Sequence, residues 1–160
     1  LTSKRFTYTS KLDFNLETFL IGNSEMQHLD FAYASSIIRT FVEDASLVLT
    51  IRGRKYTPKF SFFASSHKIE VEGVQTEVDA GYEGKERLVL IEAKNTNTKN
   101  VIIRQLFYPF KQWKAYTSKK ISLVFFEKRG EEFCLWEYCF EDEGDYNSIK
   151  LVKNNQYSLL

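Results

Sequence analysis

Residues 74–94 read VQTEVDAGYEGKERLVLIEAK, and the fold turns on how this stretch divides. From Val74 to Ala80 polar and apolar residues alternate, the spacing of a strand with one packed face. Glu83-Gly84-Lys85 reads as a turn. Leu88 to Ile91 is an unbroken apolar run, as in a central strand buried on both faces. If the two strands pair antiparallel through the turn, Asp79 and Glu92 lie nearly equidistant from it and become near neighbours across the ladder. Alternation places Gln75, Glu77 and Asp79 on one face, against Val74, Val78 and Ala80. It likewise places Glu92 and Lys94 together, with Ala93 opposite.

Two carboxylates side by side repel unless a cation sits between them. Lys94 supplies one such charge, and a hard divalent cation held through oxygen supplies a stronger one. Two acids and a lysine are what metal-assisted phosphodiester hydrolysis requires. The cation polarises the phosphate and lowers the pKa of its water, and the lysine stands beside the developing charge.

Outward from this stretch, residues 1–22 read as a short arm and a small helix, NLETFL, stopped by Gly22. Ser24 to Gln27 read as a capping box opening a helix over 24–43, with Met26, Leu29, Tyr33, Ile37 and Phe41 on one face. LVLTI and KYTPKFSFF flank Arg52-Gly53, which predicts a hairpin turn. Residues 67–83 read as one long strand, with a bulge near Gly73 where the apolar phase shifts. After the polar NTNT comes a helix over 99–116, bent near Pro109. ISLVFFEK and EEFCLWEYCF flank Arg129-Gly130 as a C-terminal hairpin, and SIKLVK is one weak closing strand. Helices before and between strands make this an α/β or α+β protein, a mixed central sheet flanked by helices.

Asp79 on one strand and Glu92-Ala93-Lys94 ending the next resemble the PD-(D/E)xK nuclease superfamily, the restriction-endonuclease-like fold. There the first acid lies on the second core strand, E-x-K ends the third, and a helix follows. Helix 24–43, helix 99–116 and strand 121–127 match the remaining core in order, so the resemblance spans about 24–127 of a single 1–160 domain. Val78 stands where the motif has proline, a weak part of the pattern. The resemblance implies that Asp79, Glu92 and the Ala93 carbonyl hold Mg²⁺, with Mn²⁺ able to substitute, and that Lys94 orients or activates the water. Glu25 stands where some members carry a further acid, although a first-turn carboxylate is also what the helix dipole favours. Glu77 reads as a third metal ligand or as a solvated strand residue. Gln105 and Tyr108 match a Gln and Tyr of RecB-type nucleases, three apart here rather than four. His28 reads as an ordinary packing or surface residue.

The implied activity is a Mg²⁺-dependent DNA endonuclease, first as the catalytic domain of a type II restriction enzyme. A Holliday-junction resolvase or repair nuclease is the alternative, and a catalytically silent DNA-binding module on the same fold is a third. Double-stranded DNA is the implied partner. A homodimer would let one site per chain cut both strands. Base reading would fall to loops 52–56 and 129–131 or to a separate recognition domain.

A formal net charge of +1 provides no whole-molecule field for nucleic acid, so attraction must come from a local face. Arg52, Arg54 and Lys55, and Lys99, Arg104, Lys111, Lys114, Lys119 and Lys120, are the candidates, with Trp113 and Tyr116 interleaved. The acidic EDEGD at 141–145 should lie away from that face. Only two cysteines are present, Cys134 and Cys139, and alternation sends them to opposite faces, so no disulfide is expected and a reducing, cytoplasmic setting fits. No apolar run is long enough to cross a membrane. Opening on Leu1 rather than Met, the chain reads as a processed form or a piece of a longer one.

Overall fold

The computed structural model describes residues 3–20, 22, 24–94 and 103–160, with the backbone alone at Leu20. In chain order its elements are β1 (Lys4–Tyr8), a 3-10 turn (Thr18–Leu20), α1 (Glu25–Ala34), α2 (Ile37–Val42), β2 (Val48–Tyr56), β3 (Phe60–Ala64), β4 (His67–Val71), β5 (Gln75–Glu83), β6 (Arg87–Lys94), α3 (Ile103–Lys114), β7 (Lys120–Arg129), β8 (Glu132–Phe140) and β9 (Ile149–Leu159). Seven strands form one sheet in the order β1-β9-β8-β7-β6-β5-β2, and β3 and β4 form a separate hairpin. The β1–β9 and β6–β7 pairs are parallel and the other sheet pairs antiparallel. The architecture is α+β, a mostly antiparallel central sheet flanked by helices.

Strand alternation divides the core in two. Val89, Ile91 and Ala93 of β6 pack with Leu29 of α1 and Ile38 and Phe41 of α2. Leu88 and Leu90 pack on the other face with Leu106, Phe107 and Phe110 of α3, joined by Phe62 and Val71 from the small hairpin. Burial of β6 on both faces explains its unbroken apolar run. Because β6 and β7 run parallel, a crossover helix, α3, links them.

The 74–94 reading holds in its main feature. Glu83 pairs with Leu88, Tyr82 with Val89, Gly81 with Leu90 and Ala80 with Ile91, so β5 and β6 form the expected antiparallel hairpin. Around it several expectations are corrected. The 24–43 helix is two helices, broken where Ser36 takes a left-handed conformation (φ 67°). The buried Tyr8 hydroxyl donates to the Ser35 carbonyl at that break. The arm before it carries strand β1, and NLETFL yields only the 3-10 turn. Ser24 caps α1 through the Gln27 N–H as expected. The Gln27 side chain, however, donates to the Thr18 and Phe19 carbonyls and ties that turn to the helix.

Arg52-Gly53 is not a turn but the interior of β2. Its Gly53, at φ 89°, sits in a stretch of irregular register. Residues 67–83 are two strands in two sheets, parted at Gly73 (φ 63°). Helix α3 ends at Lys114, while its expected start at 99, the NTNT segment and Lys99 lie outside the described residues. The last strand is longer than SIKLVK, reaching Leu159. The Arg129-Gly130 hairpin is present, and both cysteines are free thiols. Among the described residues no helix is long and apolar enough to cross a membrane.

Gly81 of β5 lies against the Ile51 side chain of β2. A Cβ there would lie 2.7 Å from the Ile51 Cβ. Gly81→Ala is expected to lower stability by about 1–3 kcal/mol through overpacking, measured by urea denaturation.

Candidate active site

The irregular register of β2 against β5 determines where Asp79 sits. Ile51 pairs with Gly81 and Gly53 with Val78, so Asp79 and Ala80 together oppose the single residue Arg52. Such a two-against-one β-bulge bends the strand and re-aims its side chains. Alternation slips there: Val78 packs into the α3-side core and Ala80 into the α1-side core. The simple expectation that Val78 and Ala80 share one face fails for this reason.

Released from the ladder, the Asp79 carboxylate turns to β6. Its Oδ2 accepts the Ala93 N–H at 2.7 Å, so the first acid is bonded directly to the central residue of Glu92-Ala93-Lys94. Burial raises the Asp79 carboxyl above its usual range, and the Ala93 hydrogen bond pulls it back down. Glu92, its side chain only 16% exposed, has Lys94 Nζ 3.8 Å from its Oε1. Burial, followed by the charge of Asp79, pushes Glu92 up to about 8. Glu77 and Glu25 also raise it, which brings both within electrostatic range of the pair.

The structure therefore brings Asp79, Glu92, Ala93 and Lys94 together where the C-terminal end of β6 meets the middle of β5. Glu25 stands in the first turn of α1, on the rim of this acidic field. Glu77 is exposed, cross-strand from Arg54 at 3.8 Å, and contributes charge rather than contact. Gln105, on α3, lines a crevice with Glu77 and Glu92, and its buried Oε1 has no hydrogen-bond partner among the described residues. Tyr108 packs against Phe60 and Phe62 with Arg104 over its ring, so it anchors the small hairpin.

The oxygens of Asp79 and Glu92 with the Ala93 carbonyl are a hard donor set suited to Mg²⁺ or Mn²⁺ rather than to soft thiolate-seeking metals. Among the described residues no three His, Cys, Asp or Glu side chains form a ready-made cage. A Mg²⁺ site needs only one or two carboxylates, because the ion retains several waters. The excess of acid charge on Glu92 is what a divalent cation would relieve.

The basic row expected on α3 is largely occupied. Lys114 pairs with Glu143 at 3.3 Å, and Lys111 lies half-buried over Phe107 under the influence of Glu143 and Asp142. The EDEGD loop thus covers part of α3 instead of lying away from it. Sequence reading also missed the placement of Arg52, opposite Asp79 and paired with Asp30 of α1 at 2.7 Å. Arg52-Gly53 had the composition of a turn, which hid it.

The chain belongs to the family described as a domain of unknown function (DUF6997), whose match covers residues 2–158. No curated protein and no solved structure matches the chain.

Proposed function

We propose that this domain is a Mg²⁺-dependent DNA endonuclease of the PD-(D/E)xK type. The observation that carries the reading is the hydrogen bond from the Ala93 N–H to Asp79, which joins the first acid to the E-x-K segment through the bulge. The order of elements supports it. Strands β2, β5 and β6 follow one another across the sheet, with Asp79 on the second and Glu92-Ala93-Lys94 ending the third. Helix α3 and the parallel strand β7 come next.

Asp79, Glu92 and the Ala93 carbonyl would hold the cation, which when bound polarises the phosphate and acidifies its water. Lys94 orients the attacking water and offsets the negative charge that develops on the phosphate. Asp79 is fixed by the Ala93 N–H, so little reorganisation is needed as charge moves. Gln105 offers beside Glu92 an amide oxygen with no partner among the described residues, able to accept a hydrogen bond from water or substrate. A restriction-type cut of duplex DNA is the first reading within this class, with a resolvase or repair nuclease as its alternative.

Incubation of the intact chain with supercoiled plasmid is the test. Nicking or linearisation with Mg²⁺ or Mn²⁺ that ceases in EDTA is expected. Discrete fragments would assign a restriction activity, and preference for a branched substrate a resolvase. Salt-sensitive DNA binding without cleavage under any of these metals would sink the nuclease reading in favour of a binding module.

A further inference from the structure

We propose that Arg52 binds the phosphate backbone of the nucleic acid beside Asp79, and that DNA reaches the site over the β2 edge rather than along α3. This assignment rests on the nuclease reading above and adds to it the group that holds the substrate and the side from which the substrate enters.

Three observations carry it. First, the bulge sets Arg52 against the pair Asp79–Ala80, so the residue facing the first acid across the ladder is a cation. Its charge acts on the Asp79 carboxyl in the folded chain. Second, the guanidinium is oriented. Nη2 donates to Asp30 Oδ1 at 2.7 Å and Nη1 to Oδ2 at 3.4 Å, so α1 holds the fork in place. Asp30 takes two of the five guanidinium N–H donors, and the side chain remains 40% exposed. An exposed pair of this kind contributes little to stability, whereas a planar fork with donors to spare suits a phosphate oxygen.

Third, two lysines of the competing surface already face acids. Lys114 on α3 is paired with Glu143 at 3.3 Å, and Lys111 feels the charges of Glu143 and Asp142. On β2, Arg54 follows Arg52 on the same side of an edge strand, with its ion pair to Glu77 at 3.8 Å and its side chain 67% exposed. Lys55 and Tyr56 are exposed beside it. A cationic edge leading into an acidic metal-binding pocket lets the backbone be held by charge while the acids remain for the cation.

The experiment is binding of a fluorescein-labelled DNA duplex, followed by anisotropy in EDTA from about 25 to about 150 mM salt. Intact chain, R52Q, R52K and K114Q are compared, each checked by thermal melting. R52Q is expected to weaken binding about tenfold and to lower the salt slope by about one phosphate contact. K114Q should stay within about twofold of the parent. R52K keeps the charge without the fork, so it should retain the slope yet lose affinity several-fold, and it carries the test if R52Q melts low. Unchanged binding by R52Q, no duplex binding by the parent, or a loss in K114Q as large as in R52Q would overturn the proposal. Binding is read without metal, so the two readings fail separately. A chain that binds through Arg52 and cuts nothing with Mg²⁺ keeps this assignment and loses the nuclease reading. A chain that cuts, with R52Q cutting and binding like the parent, does the reverse.

Discussion

Asp79→Asn is expected to reduce Mg²⁺-dependent plasmid cleavage by at least about 10³-fold while leaving the fold intact. The side chain has two separable tasks. Its Oδ2 accepts the Ala93 N–H at 2.7 Å, just beyond the last β5–β6 ladder pair, Ala80 with Ile91. Its negative charge is the second task, as half of the carboxylate pair that would hold the cation. Asparagine keeps an oxygen acceptor of the same shape for Ala93 and removes the charge. Alanine removes both, leaving a part-buried N–H without its acceptor at a cost of about 1–3 kcal/mol. Melting in EDTA should therefore place Asp79→Asn at or above the parent and Asp79→Ala below it, with both inactive. An asparagine variant that cuts within tenfold of the parent would show that the charge is not used, and the site assignment would fall.

What the sequence could disclose follows from which forces are local. The β5–β6 hairpin was legible because a Gly-containing turn and an unbroken apolar run set both register and burial. The E-A-K segment at the end of that run was legible for the same reason. Other features depend on partners distant in sequence. Strand β1, KRFTY, is exposed except at Tyr8 and pairs in parallel with Asn155 to Leu159, almost the whole chain away. An edge strand buried on so little of its surface has no periodicity to read. The stripe from Met26 to Phe41 continues across Ser35–Ser36 because both short helices face the same core. The apolar pattern therefore cannot reveal the break that Tyr8 occupies.

Bulges are the least visible features. Strict alternation through Val74–Ala80 assigns Glu77 and Asp79 to one face, and only the paired strand discloses that Arg52 meets two residues there. The same bulge makes the site. It takes Asp79 off the ladder, gives it to Ala93, and sets Arg52 opposite. Residue types marked the candidate site, then, while the irregularity that sets Asp79 against Ala93 and Arg52 was written in the contact between β2 and β5.

Glu92→Gln is expected to abolish cleavage and, in the absence of metal, to stabilise the protein. The Glu92 carboxyl, ordinarily near 4.5, is pushed up to about 8 by burial and by Asp79. An acid whose folded pKa is raised holds its proton more tightly folded than unfolded. Its contribution to stability is therefore fully present below about pH 4.5 and is lost as pH rises through about 8. Each unit of such a shift corresponds to about 1.4 kcal/mol. Glutamine is permanently neutral and nearly isosteric, so it keeps the packing and removes this slope. Lys94 loses one carboxylate but still bears on Asp79. Melts in EDTA from about pH 5 to about pH 9 should show the parent falling and the variant nearly level, apart from a smaller decline from Asp79. At the alkaline end the variant should lead by about 1–3 kcal/mol, or roughly 2–8 °C for a domain of this size. Mg²⁺ should raise the parent at pH 8 and leave the variant where it was, because only the parent retains both carboxylates for the ion. Equal slopes in parent and variant would mean that Glu92 is not the strained acid. A Mg²⁺ response retained in full by Glu92→Gln would remove Glu92 from the metal site. A pair of acids held close at a cost to the fold, and relieved by added Mg²⁺, would be the stability signature of a site kept for function.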